Sequence, residues 1–453
     1  MPLSVVILAA GQGTRMKSAR PKVLHELAGK SLLQHVVDSS RALEPEQIVV
    51  VIGHAAAEVE AAMQGQQLEF VEQSEQLGTG HALAQCLGSV AAGHDVLVLF
   101  GDVPLIRAET LAQMLEQAAE SAVCILTFIP DDPHGYGRII RDADERVIAI
   151  VEQKDASEEQ LGIGECNAGM MHIRGDRLHA LVDGLDNDNA QGEYYLTDLV
   201  EIAVGSGDPV SALICADPLE VDGVNNQQQL ALAEARYRAR QVDALMTQGV
   251  KLYDPARIDI RGELQVGQDV EIDVNCVFEG LVALGDKVRI GANCVIRNSS
   301  IASGSEIKPM TSIDEAVIGR DVSIGPFARI RPGTECDDAV KIGNFVETKQ
   351  AQIGAGSKVS HLSYIGDTEM GSKVNIGAGT ITCNYDGVNK FKTVIEDGVF
   401  IGSDTQLVAP VRIARNATIG AGSTITKDSP ADKLTLSRSK QVTLDGWSKP
   451  VKK

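Results

Sequence analysis

The sequence predicts three parts: an α/β domain over residues 1–226, a long connecting helix over 227–248, and a parallel β-solenoid over 249–453. Three observations predict this. First, a hydrophobic side chain recurs at every sixth position of the C-terminal half: Val266, Ile272, Phe278, Leu284, Ile290 and Ile296, then Ile301, Ile307 and Ile313, then Ile318, Ile324 and Ile330. A last run reads Ile395, Ile401, Leu407, Ile413, Ile419 and Ile425. Neither a helix nor a simple alternating strand repeats at six; a short strand followed by a tight corner does. Such repeats must stack, because one turn cannot bury its own apolar face. Second, the N-terminal half alternates continuous apolar runs with amphipathic stretches. Third, residues 227–248 hold good helix formers and neither Gly nor Pro.

The apolar runs Val5–Leu8, Ile48–Val51 and Val96–Leu99 read as buried parallel strands. Residues 31–43 and 109–120 read as amphipathic helices between strands, which gives the α/β pattern. Asn225 or Asn226 can cap the connecting helix and Gly249 can end it. The ladder is interrupted at 383–392, where Cys383-Asn384-Tyr385-Asp386-Gly387-Val388-Asn389-Lys390 is too polar for a coil and predicts an extruded loop. Beyond residue 430 the period fades, and the tail ends with Lys449, Lys452 and Lys453.

The 453 residues carry a net charge of −21, which disfavours a nucleic-acid partner but leaves room for small phosphorylated ligands. Eight dispersed cysteines without a CxxC motif predict free thiols in a reducing compartment. Met1-Pro2-Leu3-Ser4 leads into an apolar strand with no charged leader, and no run is long enough to span a bilayer, so a cytoplasmic location is expected.

Directly after the first strand comes Leu8-Ala9-Ala10-Gly11-Gln12-Gly13-Thr14-Arg15-Met16. Small residues there admit a phosphate chain close to backbone N–H groups, and a following helix would add its positive end. Arg15 contributes a permanent charge, and Pro21-Lys22 a second cation in a turn. Two phosphate motifs are excluded: a dinucleotide fingerprint lacks its third Gly, since position 16 is Met, and Gly29-Lys30-Ser31 lacks the first Gly of a P-loop, since position 24 is Leu. Asp102 follows the strand ending at Phe100, at the edge of the sheet where ligands gather. It can hold a divalent cation or merely cap the next turn.

Leu8–Met16 with Pro21-Lys22 resembles the sugar-1-phosphate nucleotidyltransferases, a Rossmann-like fold. The likeness extends through Gln73, Gln76–Ala82, Gly101–Leu105, Gly135–Arg138 and Gln191–Tyr195. With the hexapeptide half included, the whole chain resembles a bacterial bifunctional family that acetylates glucosamine-1-phosphate and then uridylylates the product. By that resemblance Asp102 and Asn225 hold Mg²⁺, while Arg15 and Lys22 stabilise charge as the sugar phosphate attacks the α-phosphorus of UTP. The backbone of Leu8, Ala9, Ala10 and Gly11, with Gln73, Gly78 and Thr79, reads uracil and ribose; Phe100 and Gly101 adjoin. Gly137, Glu152, Asn167 and Asn225 hold the N-acetylglucosamine ring. Phe100 stands where the family often has Tyr, so no hydroxyl contact is available there.

Eight of the nine histidines lie at or before His179, and the solenoid half holds one, His361. A lone histidine can simply face solvent, but Arg331, Lys349, Tyr364 and Asn375 recur at similar solenoid phase and predict a cluster on one face. An imidazole of ordinary pKa suits removal of a proton from an attacking amine. The half resembles the left-handed β-helix acyltransferases, which act as trimers with sites between subunits. The resemblance makes His361 the general base, gives Arg331 and Lys349 the sugar phosphate, and has Tyr364 and Asn375 position the sugar. It places acetyl-CoA against Ala378, Ser403, Ala421 and Arg438, with Asn384 and Tyr385 on the extruded loop; as cations, Arg438 and Lys440 can meet CoA phosphates or simply be solvated charges of the tail. A homotrimer is expected. Two rival readings are a single-activity nucleotidyltransferase with a structural or regulatory solenoid, and an enzyme for a different sugar or base.

Overall fold

In the computed structural model, which describes residues 2–452, the chain forms two compact units, Met1–Tyr237 and Arg238–Lys453. The boundary falls inside the helix Gln227–Thr247. Asn226 Oδ1 accepts from the N–H of Gln229 at 2.9 Å and caps the helix start. Gly249, at φ 95°, ends it, with the N–H of Val250 returning to the carbonyl of Leu245 at 3.0 Å.

The first unit is built on a mixed sheet. From one edge its strands run Val210–Ile214, Val123–Phe128, Cys166–Ile173, Asp95–Phe100, Leu3–Leu8, Gln47–Ile52 and Glu69–Glu72. Cys166–Ile173 is antiparallel to both neighbours, and the other pairs on this path are parallel. The alternation of a strand explains why the runs are continuously apolar: Val5, Ile7, Leu97 and Leu99 enter the core on one face, and Val6, Leu8, Val96 and Val98 that on the other. The ribbon Arg138–Arg141 and Val147–Val151 hangs from Cys166. The expected helices form at Leu32–Arg41, capped by Ser31, and at Ala108–Gln117.

One expectation is corrected. No helix follows the Gly-rich turn; Thr14–Met16 makes a single 3-10 turn between two left-handed residues, Gly13 at φ 62° and Lys17 at φ 50°. A helix cannot propagate through such residues, so this loop offers no macrodipole end to a phosphate.

The second unit is a parallel β-solenoid. Ile272 pairs with Ile290 and Ile290 with Ile307, so a coil is three hexads long, and some coils fall one position short of that. Every ladder residue named above is buried except Val266, which packs at the rim of one continuous aliphatic core. The register jumps once. Tyr364 pairs with Ile381, an ordinary coil away, whereas Thr368 pairs with Thr393, well beyond one coil. The extra length is the extruded loop, a tight hairpin in which Tyr385 bridges to Lys390 and the Asp386 carboxylate accepts from the N–H groups of Val388 and Asn389.

The corners of the coils are left-handed in columns. One column carries Asp269, Lys287, Gly304, Asp321, Ala339, Gly356 and Lys373, and a second Gly280, Asn298, Glu315, Gly333, Gln350 and Asp367. Small or polar residues suit that backbone. The third begins Asn275, Asn293, Met310, Phe327, Phe345 and Leu362 before continuing through Gly379, Asp404 and Gly422, and Met310, Phe327, Phe345 and Leu362 are large, apolar and about half exposed or more. The rings of Phe327 and Phe345 stack at 5.4 Å and 15°.

Candidate functional site

In the first unit, the segments around Lys22, Asp102 and Asn225 converge beyond the strand ends. The N–H of Val224 donates to the carbonyl of Asp102 at 2.8 Å, which brings Asn225 alongside. The Lys22 ammonium pairs with the Asp102 carboxylate and donates to Asn225 Oδ1 at 3.2 Å, and Arg15 donates to the same oxygen at 2.8 Å. The N–H of Asn225 donates to Gln229 Oε1 at 2.8 Å. Gly13 makes room for this: a Cβ there would lie 2.6 Å from that of Lys22.

Two adjoining cavities open from this point. One of about 230 Å³ is lined by Leu8, Ala9, Ala10, Gly11, Lys22, Gln73, Gly78 and Thr79, among others. The other, of about 250 Å³, is lined by Gly137, Glu152, Asn167 and Asn225, with Tyr136, Ala168 and Val221 supplying apolar wall. Thr79, Phe100 and Asp102 border both. Gly101 stands behind the wall, where a Cβ would press on Ala9, Val23 and Leu33 at 3.3 Å. Gln73 is buried and donates to the carbonyl of Gly78 at 3.0 Å. Burial pushes the Glu152 carboxyl above its usual range, partly offset by the Thr197 hydroxyl donating at 3.4 Å.

The donor set fits a hard divalent cation. Asp102 and Asn225 turn oxygens toward one point, which the Lys22 ammonium shares in this structure, and Mg²⁺ takes one or two protein oxygens with the remainder from water and phosphate. Among the described residues no cluster of three His, Cys, Asp or Glu could hold a metal by itself.

In the second unit, one column of side chains climbs a face of the solenoid through Arg261, Glu279, Arg297 and Asp314. Its charges alternate and pair: Arg261 meets Glu279 at 3.1 Å, Arg297 pairs with Glu279, and Arg297 approaches Asp314 at 3.6 Å. Arg331 takes the next rung, over Asp314, and Lys349 the one after, so two cations follow one another. Arg331 turns sideways to Glu347 at 2.7 Å. Lys390, from the extruded loop, joins them; the neighbouring Lys349 ammonium holds its pKa below the usual lysine value. Arg331 keeps a carboxylate partner in Glu347, whereas Lys349 and Lys390 face one another as like charges, and a run of cations of this kind is suited to an anion.

His361 ends the strand Lys358–His361 directly over Asn344. Its Nδ1 donates to Asn344 Oδ1 at 2.8 Å, which leaves the Nε2 lone pair free. Tyr364 lies over Glu347, beside the cation column. Asn375 does not share that phase, which corrects the single-face expectation: it belongs to the other sheet, paired with Lys358 below and Phe400 above. The corner at Leu362 separates His361 and Asn375 from Arg331, Lys349 and Tyr364. The hexad count hides this, because coils that fall one position short of three hexads shift the phase.

Higher up, Ala378, Ser403 and Ala421 form one strip. The N–H of Asp404 reaches the carbonyl of Ala378 at 2.8 Å, the N–H of Gly422 that of Ser403 at 2.8 Å, and the Arg438 guanidinium donates to Ala421 O at 2.9 Å. Asn384 is buried at the loop root, and Tyr385 is exposed. Lys440 lies in the exposed tail. Sequence reasoning missed Asn344, Glu347, Gln229 and Lys390. Only Lys390 left a signal, a cation in a loop otherwise rich in Asn, Asp and Gly.

Residues 5–160 match the MobA-like NTP transferase domain, 260–345 the GMPPB C-terminal domain, and 392–427 the bacterial transferase hexapeptide (six repeats). The chain is 56% identical over 451 residues to the Bifunctional protein GlmU of Cupriavidus pinatubonensis, covering 100% of this chain and 99% of that protein. It is 55% identical over 451 residues to the same-named protein of Marinobacter nauticus and 54% over 451 residues to that of Chromobacterium violaceum, each again across 100% of this chain and 99% of the relative. Identity of this order, sustained from end to end across both halves, makes the chain a member of the GlmU family of bifunctional transferases.

Proposed function

We propose that the two activities of this bifunctional transferase are carried by the two centres described, acetyl transfer to glucosamine-1-phosphate in the solenoid and uridylyl transfer from UTP to the product in the α/β unit. In the α/β unit, UTP occupies the cavity lined by Leu8–Gly11, Gln73, Gly78 and Thr79, and N-acetylglucosamine-1-phosphate that lined by Gly137, Glu152, Asn167 and Asn225. A sugar phosphate oxygen attacks the α-phosphorus and pyrophosphate leaves. Arg15 and Lys22 stand at the junction of the cavities and neutralise charge that grows there. Mg²⁺, held by Asp102 and Asn225, supplies further charge neutralisation when bound.

In the solenoid, Arg331, Lys349 and Lys390 bind the phosphate of glucosamine-1-phosphate, and Tyr364 and Asn375 orient the sugar. His361 takes the proton from the attacking amine on Nε2 while Asn344 fixes the ring. The amine nitrogen bonds to the acetyl carbonyl carbon, the thioester C–S bond breaks, and CoA leaves as the thiol. The strip Ala378–Ser403–Ala421 lets the pantetheine arm lie against backbone, and Arg438 meets CoA phosphates.

The apolar corner supports a homotrimer. Met310, Phe327, Phe345 and Leu362 hold left-handed backbone, which costs a bulky residue roughly 1–2 kcal/mol each, and they expose apolar surface besides. A second copy of the chain covering that corner offsets both costs. It would also border the place where His361 and Tyr364 are divided. The eight unpaired cysteines, seven of them buried, favour a reducing cytoplasm.

The observation that carries the reading is the break in charge alternation at Arg331 and Lys349, which distinguishes a binding solenoid from a merely structural one. The test is the full protein with glucosamine-1-phosphate, acetyl-CoA, UTP and Mg²⁺, each omitted in turn. His361→Ala removes acetyl transfer and spares uridylyl transfer, and Asp102→Ala does the reverse. One substitution that destroyed both activities in a folded protein would refute two separate centres.

A further inference from the structure

The extruded loop interrupts the stacking of coils, so something other than the β-ladder must fix it beside the cation column. Its root is Asn384, whose side chain is turned inward and whose carbonyl accepts from the N–H of Phe391 at 2.9 Å, which closes the hairpin. The Asn384 amide donates to the carboxylate of Asp367 and lies 3.5 Å from the Tyr364 hydroxyl. Asp367 is itself at a left-handed corner, φ 47°, in the coil that carries Tyr364. It is the last corner residue of its column before the insertion, since the next coil leaves the ladder at 384. Its negative charge also opposes the repulsion that Lys349 exerts on Lys390.

We propose that Asp367 is a positioning residue for acetyl transfer, which clamps the root of the loop through Asn384 and so places Asn384, Tyr385 and Lys390 against the bound substrates. It touches neither substrate. Its two effects oppose one another at the sugar phosphate, and only the clamp reaches CoA. The clamp governs the CoA-binding loop, and the carboxylate charge weakens the grip of Lys349 and Lys390 on an anionic phosphate. The inference rests on the assignment of acetyl transfer to this face.

Two substitutions in the full-length protein separate these effects. Asp367→Ala removes a charge-assisted hydrogen bond, and raises KM for acetyl-CoA about tenfold or more. Asp367→Asn keeps an oxygen acceptor for Asn384 but removes the charge. It leaves KM for acetyl-CoA within about twofold and lowers KM for glucosamine-1-phosphate about threefold. Uridylyl transfer, carried by the other unit, is unchanged in both, and an unchanged melting temperature of the solenoid controls for its folding. Limited proteolysis at Tyr385, Lys390 and Lys392 is faster in Asp367→Ala than in Asp367→Asn or the parent, and reports the clamp independently of turnover. Unchanged kinetics and proteolysis in Asp367→Ala would overturn the proposal, as would equal effects of the two substitutions on both KM values. Absence of acetyl transfer in the parent protein would instead overturn the function on which it depends.

Discussion

Lys349 stands one rung above Arg331 in a single column, with no carboxylate between them, although the rungs below alternate Arg261, Glu279, Arg297 and Asp314. The alternation of charge therefore ends here, and the rung above Lys349 is Gly366. Lys349→Glu restores the alternation. It is expected to leave the thermal stability of the solenoid equal or slightly higher, since such exposed pairs are worth about 0–1 kcal/mol. It should raise KM for glucosamine-1-phosphate by about a hundredfold or more. A lowered melting temperature with unchanged KM would contradict this reading.

Gly13 is the position where backbone shape and catalysis meet most directly. Gly13→Ala places a Cβ 2.6 Å from that of Lys22, at φ 62°. Uridylyl transfer should fall by about 10²-fold, the effect of displacing one charge-stabilising donor. Acetyl transfer should be untouched, and a coupled assay run in both halves reads the difference.

The apolar corner predicts its own disruption. Phe345→Asp puts a charge into a stacked pair of rings that are 5.4 Å apart. Light scattering after gel filtration should show the oligomer dissociating. Acetyl transfer should fall with it, while uridylyl transfer persists. A variant that kept the parent mass would argue against this corner as the contact between copies.

Asp198 gives a pH signature. Burial, and after it the charges of Asp186, Glu201, Glu152 and Asp155, push its carboxyl up to about 6. An acid raised in the folded state binds more protons folded than unfolded. Stability of the α/β unit therefore falls as pH rises from about 4 to about 6, and the deficit stays in place above that. Asp198→Asn should flatten the melting temperature over that window and raise it at about pH 7.5. A melting curve unchanged in both respects would show that the site is solvated.

Chelation separates the halves. Removing divalent cations should abolish uridylyl transfer, because Asp102 and Asn225 would present oxygens with only Lys22 and Arg15 to balance the triphosphate. Acetyl transfer, which uses an already activated thioester, should continue at the same rate.

The solenoid is largely legible in the sequence because each coil repeats one physical requirement, an inward aliphatic at a fixed interval. The loop at 383–392 is legible for the converse reason, as composition that no coil could bury. The strands around Val5–Leu8 and Val96–Leu99 are readable from their apolar runs. The absence of a helix after Gly13 is not, because left-handed backbone at Lys17 leaves no trace in residue type. The true face of Asn375 is hidden because full coils and slightly short ones look alike in a hexad count, yet the shift accumulates. Asn225 and Asp102 are brought together by the backbone bond from Val224 to Asp102 and by the Lys22 ammonium between them, across segments far apart in the chain, which no local pattern records.

The register jump between Tyr364 and Thr368 has a consequence for how such a protein can change. A rod of rungs, each answerable only to its neighbours, tolerates a detour at a corner without retuning the rest. New binding surface can be grafted on at such a joint while the shaft keeps its dimensions, so reactivity here can diversify far faster than architecture.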